Sequence, residues 1–161
     1  MAKVILICGK IASGKSYFAD KLKKENNAVI LSCDELFKMI FKDDQGEKHD
    51  EITKRIREYI YKKSVEIVRA GTDVILEFGF WSRENRKSVS EYYKQCGIQT
   101  EWYYIMISDD DWKLNINERN KEVLAGRSDA FFVDDGLLQK MNNLFEEPME
   151  SEIDHFYNNK R

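Results

Sequence analysis

Four residues in the stretch GKIASGKS, Gly9, Gly14, Lys15 and Ser16, satisfy the spacing G-x-x-x-x-G-K-[ST]. Glycines at those positions let a backbone curl until its N–H groups converge on phosphate oxygens, with the positive end of the following helix behind them. A lysine next to the second glycine reaches β- and γ-phosphates, and a hydroxyl after it is a Mg2+ ligand. The candidate nucleotide-binding segment is Gly9, Lys10, Ile11, Ala12, Ser13, Gly14, Lys15, Ser16 and Tyr17, with Mg2+ on Ser16. Its flanks agree, since VILIC reads as a buried strand and YFADKL as the start of a helix. The competing reading is a strand-to-helix turn that merely needs glycine.

Three later constellations supply what phosphoryl transfer from such a cradle would require. Asp34, in LSCDELF, follows a second apolar run and is the candidate base for an acceptor hydroxyl. It could instead cap the helix ELFKMIF, and one oxygen cannot serve both roles. In VILEFGFWSRENR, Glu77 ends a buried strand, where a carboxylate needs a hydrogen-bond partner or a Mg2+-bound water. Phe80 and Trp81 then offer an aromatic wall, and Arg83 and Arg86 offer charge to an anionic acceptor group. Against this, Phe78 and Phe80 could be core residues and both arginines a solvated helix face. Arg119 closes a helix and Arg127 lies in the next loop, each suited by its permanent charge and donor fork to a transferring phosphoryl group. Either could also be a surface cation at a helix end. His49 and His155 stand in polar surroundings and receive no role.

The bulk composition bounds these readings. A chain of 161 residues with 42% hydrophobic residues and one proline can close a single core, so one domain over 1–161 is expected. Lys+Arg 26 against Asp+Glu 29 leaves a formal net charge of -3, which disfavours a general nucleic-acid binder while leaving a local basic cleft open. Cys8, Cys33 and Cys96 show no disulfide framework or zinc spacing, so no metal cluster is expected. The amino-terminal apolar run is too short for a membrane span or signal core, and the cytoplasm is the expected compartment.

The elements that must position these residues alternate between apolar runs and helix-period segments, the pattern of a parallel sheet covered on both faces. Strands are expected at KVILIC, AVIL, DVILEF and QTEWYYIMIS. A long amphipathic helix starts at Asp50 and stops near Gly71, and a second spans SRENRKSVSEYYKQCG. DDDWKLNINERN forms another, followed by a lid over about 120–132 and a last helix bringing Leu137, Leu138, Met141, Leu144 and Phe145 to the core. The tail HFYNNKR is polar and expected to fray.

Among proteins with such a loop, the chain lacks the guanine-reading N-K-x-D and the transporter signature, and VILEF lacks the Asp-Glu pair of motor ATPases. A kinase for a small hydroxyl compound fits better, needing a core, an acceptor pocket and a lid. The alternatives are a nucleotide-dependent switch acting through a protein partner and a polynucleotide 5′-hydroxyl kinase. With GKIASGKS, LSCDELF, VILEFGFWSRENR and RNKEVLAGR…LFEEPMESE in order, the chain resembles the ATP-binding P-loop kinases of the AAA-33 type, relatives of polynucleotide 5′-hydroxyl kinases, gluconate kinases, chloramphenicol phosphotransferase and zeta toxins. The similarity extends to about Glu152. It implies an α/β, doubly wound three-layer P-loop NTPase fold with a parallel sheet of four to five strands in the order of nucleoside-monophosphate kinases, and a helical lid. It further implies ATP as donor, Mg2+, Lys15 and Ser16 as phosphate and metal ligands, Asp34 as base, and Arg119 and Arg127 as lid arginines. Glu77 stands where relatives often carry Asp. The chain is expected to end before the fifth strand that many relatives place near the adenine.

Overall fold

The computed structural model describes residues 1–43 and 45–160. The apolar run Val4–Cys8 forms β1, with all five residues buried. Strand periodicity sends Val4, Leu6 and Cys8 to one face and Ile5 and Ile7 to the other, and each set enters a separate core. The elements then run α1 (Lys15–Asn26), β2 (Val29–Leu31), α2 (Cys33–Ile40), a 3-10 turn at Gly46–Lys48, α3 (His49–Arg69), β3 (Val74–Gly79), α4 (Arg83–Gln95), β4 (Thr100–Ile107), α5 (Asp109–Leu124), α6 (Asp135–Leu144), a second 3-10 turn at Glu150–Glu152 and β5 (His155–Asn159).

The five strands form one parallel sheet in the order β2-β3-β1-β4-β5. On one face Phe18, Ala19 and Leu22 of α1 pack on Ile5, Ile7, Ile75 and Ile105. On the other, Phe37 of α2, Ile56, Ile60, Val65 and Val68 of α3, and Val89 and Tyr93 of α4 close over Leu6, Leu76 and Trp102. Helices on both faces of a parallel sheet make the α/β, three-layer arrangement expected from the alternating pattern. A third cluster, Trp112, Ile116, Val133 and Met141, joins α5 to α6 and the segment between them. Because β1 has β3 on one side and β4 on the other, the chain reverses its direction of travel across the sheet there. The crevice beyond the carboxyl ends of such strands is where an open α/β sheet holds its ligand.

Three sequence-based expectations change. The tail does not fray: His155–Asn159 pairs with β4 from Tyr103↔His155 to Ile107↔Asn159, giving the sheet its fifth strand. Its polarity was misleading because an edge strand gains its place through backbone hydrogen bonds and a few ring contacts. Here Tyr157 lies 4.7 Å from Phe18 and His155 stacks at 4.4 Å on Tyr103. Second, α5 continues to Leu124, so the presumed lid segment 120–132 begins inside a helix. Third, α6 buries Met141, while Leu144 remains 47% exposed.

Candidate active site

Three side chains from distant elements hold the outer edge of the glycine loop. Trp112 Nε1 donates to the Ile11 carbonyl at 2.7 Å, Asn115 Nδ2 to Ala12 at 2.9 Å, and Asn159 Nδ2 to Ser13 at 2.8 Å. Three consecutive carbonyls thus have partners on the outside; of the loop's N–H groups, that of Ser13 donates to the Lys10 carbonyl at 3.3 Å and that of Gly9 to Gly79, and the others are left for the inside. Gly14 adopts φ 98° and precedes α1 with no side-chain cap, so the first amides of the helix have no side chain on them. A Cβ at Gly14 would collide with Asn159, which adds close approach to the backbone reason for glycine. The Ser13 hydroxyl is buried inside the loop and has no hydrogen-bond partner among the described residues.

Lys15 folds back to donate to the Lys10 carbonyl at 2.6 Å. Burial pulls its pKa down to about 8, against the attraction of Glu77. The Ser16 hydroxyl donates to Glu77 Oε2 at 2.8 Å, joining the loop to the end of β3. Burial raises the Glu77 carboxyl above its ordinary value, opposed by the Ser16 hydrogen bond and by Lys15. A hydroxyl and an under-solvated carboxylate at this separation are a donor set of the hard oxygen type that Mg2+ takes, with phosphate and water completing its shell. No cluster of three or more His, Cys, Asp or Glu among the described residues forms a metal site by itself.

Asp34 opens onto the same cleft, which has a volume of about 950 Å3. Its competing role as a cap is filled by Ser32, whose Oγ accepts from the Glu35 amide at 3.2 Å. Arg119 reaches the cleft from α5, seven residues after Trp112 and four after Asn115, and so shares the helix face that grips the loop. Its Nε is buried without a hydrogen-bond partner among the described residues. Burial lowers its pKa, and Asp34 opposes that shift. Trp81, Tyr17 and the loop residues Ile11, Ala12 and Gly14 also line the cleft, although the Tyr17 ring is mostly in solvent. Gly9 binds the two sides of the crevice together, its amide donating to the Gly79 carbonyl at 3.1 Å. Lys10 points away, its ammonium 4.6 Å from the Trp112 ring centroid and 3.8 Å from Asp109.

Four proposed acceptor or transfer residues are not brought to the cleft. Arg86 is 2% exposed and paired with Glu152 at 2.9 Å, and it donates to the Phe80 carbonyl at 2.8 Å and to Trp81 at 3.2 Å. It secures the turn after β3 because a guanidinium there satisfies carbonyls that no strand reaches. Phe80 is buried at φ 48°, stacked 5.6 Å from Phe78 and edge-on to Trp102. Arg83 stands exposed in the first turn of α4, its amide on Glu146 and its charge acting on Glu152. Arg127 is not among the residues lining the cleft and forms two 2.8 Å hydrogen bonds with Glu122 of α5, which does line it.

Sequence reasoning passed over Asp50, Thr53 and Arg57, which line the opposite wall from one face of α3. Their spacing of three and four was visible within the long helix, beside its apolar stripe. His49 and Phe131 also line the cleft, with ring centroids 6.0 Å apart. Trp112, Asn115 and Asn159 gave no local signal, since each acts on a loop about a hundred residues or more away.

The family model AAA_33, described as an AAA domain, matches residues 4–148. No curated protein matches the chain. Among solved structures, a putative kinase from Chloroflexus aurantiacus J-10-fl superposes with a TM-score of 0.74 at 14% identity, covering 98% of this chain and 84% of that one. The Mycobacterium tuberculosis APS kinase CysC, in complex with AMPPNP and APS, gives 0.69 at 16% identity, with 99% and 90% covered. A gluconokinase from Sinorhizobium meliloti 1021 gives 0.59 at 14%, with 97% and 81% covered. The fold is that of P-loop kinases. No helix among the described residues is long and apolar enough to cross a membrane.

Proposed function

Because the chain belongs to the AAA_33 family, we propose that it transfers the γ-phosphoryl group of ATP to a hydroxyl of a small or nucleotide-like acceptor. The observation that carries this reading is Asp34: relieved of capping by Ser32, it opens onto the cleft that Lys15, Ser16, Glu77 and Arg119 also line. The AMPPNP in the APS kinase neighbour supports an adenine triphosphate as donor.

In this reading the loop amides other than those of Gly9 and Ser13 hold the β- and γ-phosphates, and Lys15 exchanges its bond to the Lys10 carbonyl for phosphate oxygens. Ser16 and Glu77 would hold Mg2+, which when bound supplies positive charge to the phosphate oxygens. The acceptor oxygen bonds to the γ-phosphorus as the bond to the β–γ bridging oxygen breaks, its proton passes to Asp34, and ADP leaves. Arg119, with an unsatisfied Nε, neutralises charge spread over the transferring group. Arg127 joins it only if the segment after α5 closes and the Glu122 pair opens. Trp81 borders the acceptor side.

The test is an ADP-release screen over hydroxyl compounds and 5′-hydroxyl oligonucleotides, with Lys15→Ala as the blank. Release stimulated by a defined class of acceptor is the expected result. A flat response across the panel, with ATP still bound, overturns the transferase reading in favour of a nucleotide-dependent switch.

A further inference from the structure

We propose that the acceptor is an anionic hydroxyl compound, its phosphate, sulfate or carboxylate group held by Arg57 while its hydroxyl meets Asp34; this rests on the phosphotransferase reading above. Arg57 lies on α3, where Cys33 Sγ and the Thr53 carbonyl, 3.9 Å apart, bring the turn before it against the first turn of α2. That turn of α2 carries Asp34, so base and guanidinium belong to adjoining elements on one wall of the cleft.

Arg57 shares with Arg119, and with neither Arg86 nor Arg127, a buried Nε that has no hydrogen-bond partner among the described residues. Arg86 is matched by Glu152 and Arg127 by Glu122, whereas no carboxylate among the described residues pairs with Arg57. Its guanidinium carbon sits 5.7 Å from the Phe78 ring centroid. The aromatic ring contacts the cation without consuming a single N–H, because a π-face accepts the charge and not the donor fork. Arg57 is half-buried and its guanidinium also reaches the Cys33 thiol, while its Nε has no hydrogen-bond partner among the described residues; an anion would supply oxygens there, and the planar fork suits phosphate, sulfate or carboxylate.

The other cations of the cleft sit on other elements: Lys15 is part of the glycine loop, Arg119 extends from the helix that grips it, and Lys140 lines the cleft from α6. Only Arg57 among them rises from α3, the helix that with Asp50 and Thr53 makes the wall facing that loop. A neutral sugar or nucleoside offers this group hydroxyl or carbonyl oxygens as acceptors and no charge to pair with it. An anionic acceptor pairs it and places a fixed charge at one end of the molecule, which sets which hydroxyl reaches Asp34.

The experiment measures ADP release for matched acceptors that differ only in the charged group: sugars and nucleosides against their phosphate monoesters, and hydroxy acids against their amides. The charged member should be favoured in kcat/KM by roughly tenfold to a hundredfold. Arg57→Gln should collapse that ratio, mostly through KM, and Arg57→Lys should restore part of it. Which charged arm responds separates phosphate from carboxylate. As a second readout, sodium sulfate is titrated calorimetrically into protein saturated with Mg2+ and AMPPNP, where a site lost in Arg57→Gln is expected. Preference for neutral members, or an unchanged ratio in a folded Arg57→Gln protein, overturns the anionic class while the transferase reading stands. If Arg57→Gln does not fold, the wild-type ratio and the Arg57→Lys ratio decide. Silence of every acceptor arm, with AMPPNP still binding, overturns the transferase reading and the role of Arg57 with it.

Discussion

Asp34 and Lys15 are the two residues whose chemistry is easiest to isolate. Removing the proton-accepting charge with Asp34→Asn keeps the shape of the side chain, and Ser32 still caps α2. Acceptor-dependent turnover should fall by about 10²–10⁴-fold while AMPPNP affinity measured by calorimetry holds; near-normal turnover would remove Asp34 as base. Lys15 makes a pH prediction with a definite sign. Its folded pKa is about 8, below the ordinary lysine value, because burial disfavours the charged form. Between pH 8 and the unfolded value near 10.5, the unfolded chain holds a proton that the folded chain has lost, so the unliganded protein should gain stability as pH rises. Nucleotide binding needs the ammonium and should weaken over the same rise. Calorimetric affinity for Mg2+-AMPPNP that is flat from pH 7 to 9.5 would contradict this.

At the scale of elements, the glycine loop owes its shape to α5 and β5 as much as to its own glycines. Each of the bonds from Trp112, Asn115 and Asn159 fastens one carbonyl in the run Ile11, Ala12, Ser13. Asn159→Ala removes one such tie at the edge of the sheet. A hydrogen bond of this kind is worth about 0.5–1.5 kcal/mol net, so AMPPNP affinity should drop by about two- to tenfold with little change in secondary structure. Equal affinity in the variant would mean that the loop holds its shape without β5. The shared face of α5 also ties Arg119 to the loop, since Asn115 and Arg119 are one turn apart. The segment after α5 is kept against that helix by Asn120, whose side chain makes two bonds with the Val133 backbone, at 2.7 and 2.8 Å.

At the scale of the molecule, the ion pair of buried Arg86 with partly exposed Glu152 joins the turn after β3 to the approach to β5. Arg86→Ala removes the bonds that hold Glu152 and the Phe80 and Trp81 carbonyls, and should lower stability by about 1–3 kcal/mol in urea unfolding. A loss within a few tenths would show that the pair is dispensable. Burial works against ionisation of Glu152, yet the Arg86 guanidinium and the Met149 amide outweigh it and hold the carboxyl below its ordinary value. Its contribution is therefore present above the unfolded carboxylate pKa and lost as pH falls through the lower folded one. The Glu152→Gln protein should be less stable near neutrality and less sensitive to acid below pH 4.5, read as a flatter melting temperature against pH.

Taken by itself, the amino-acid sequence determined the alternation of buried strands and amphipathic helices, the course of β1, and the loop with Lys15 and Ser16 at its end. Those features are local: periodicity and a spacing of six or seven residues are set by the covalent chain and its torsions. What tertiary structure decided was the choice among partners. Packing gave the cap to Ser32 and left Asp34 to the cleft, buried Arg86 on Glu152, paired Arg127 with Glu122, and set Arg57 into a wall that nothing adjacent in sequence announces. It also turned a polar tail into β5, because backbone hydrogen bonding to β4 depends on a neighbouring strand being there and not on the side chains of the tail.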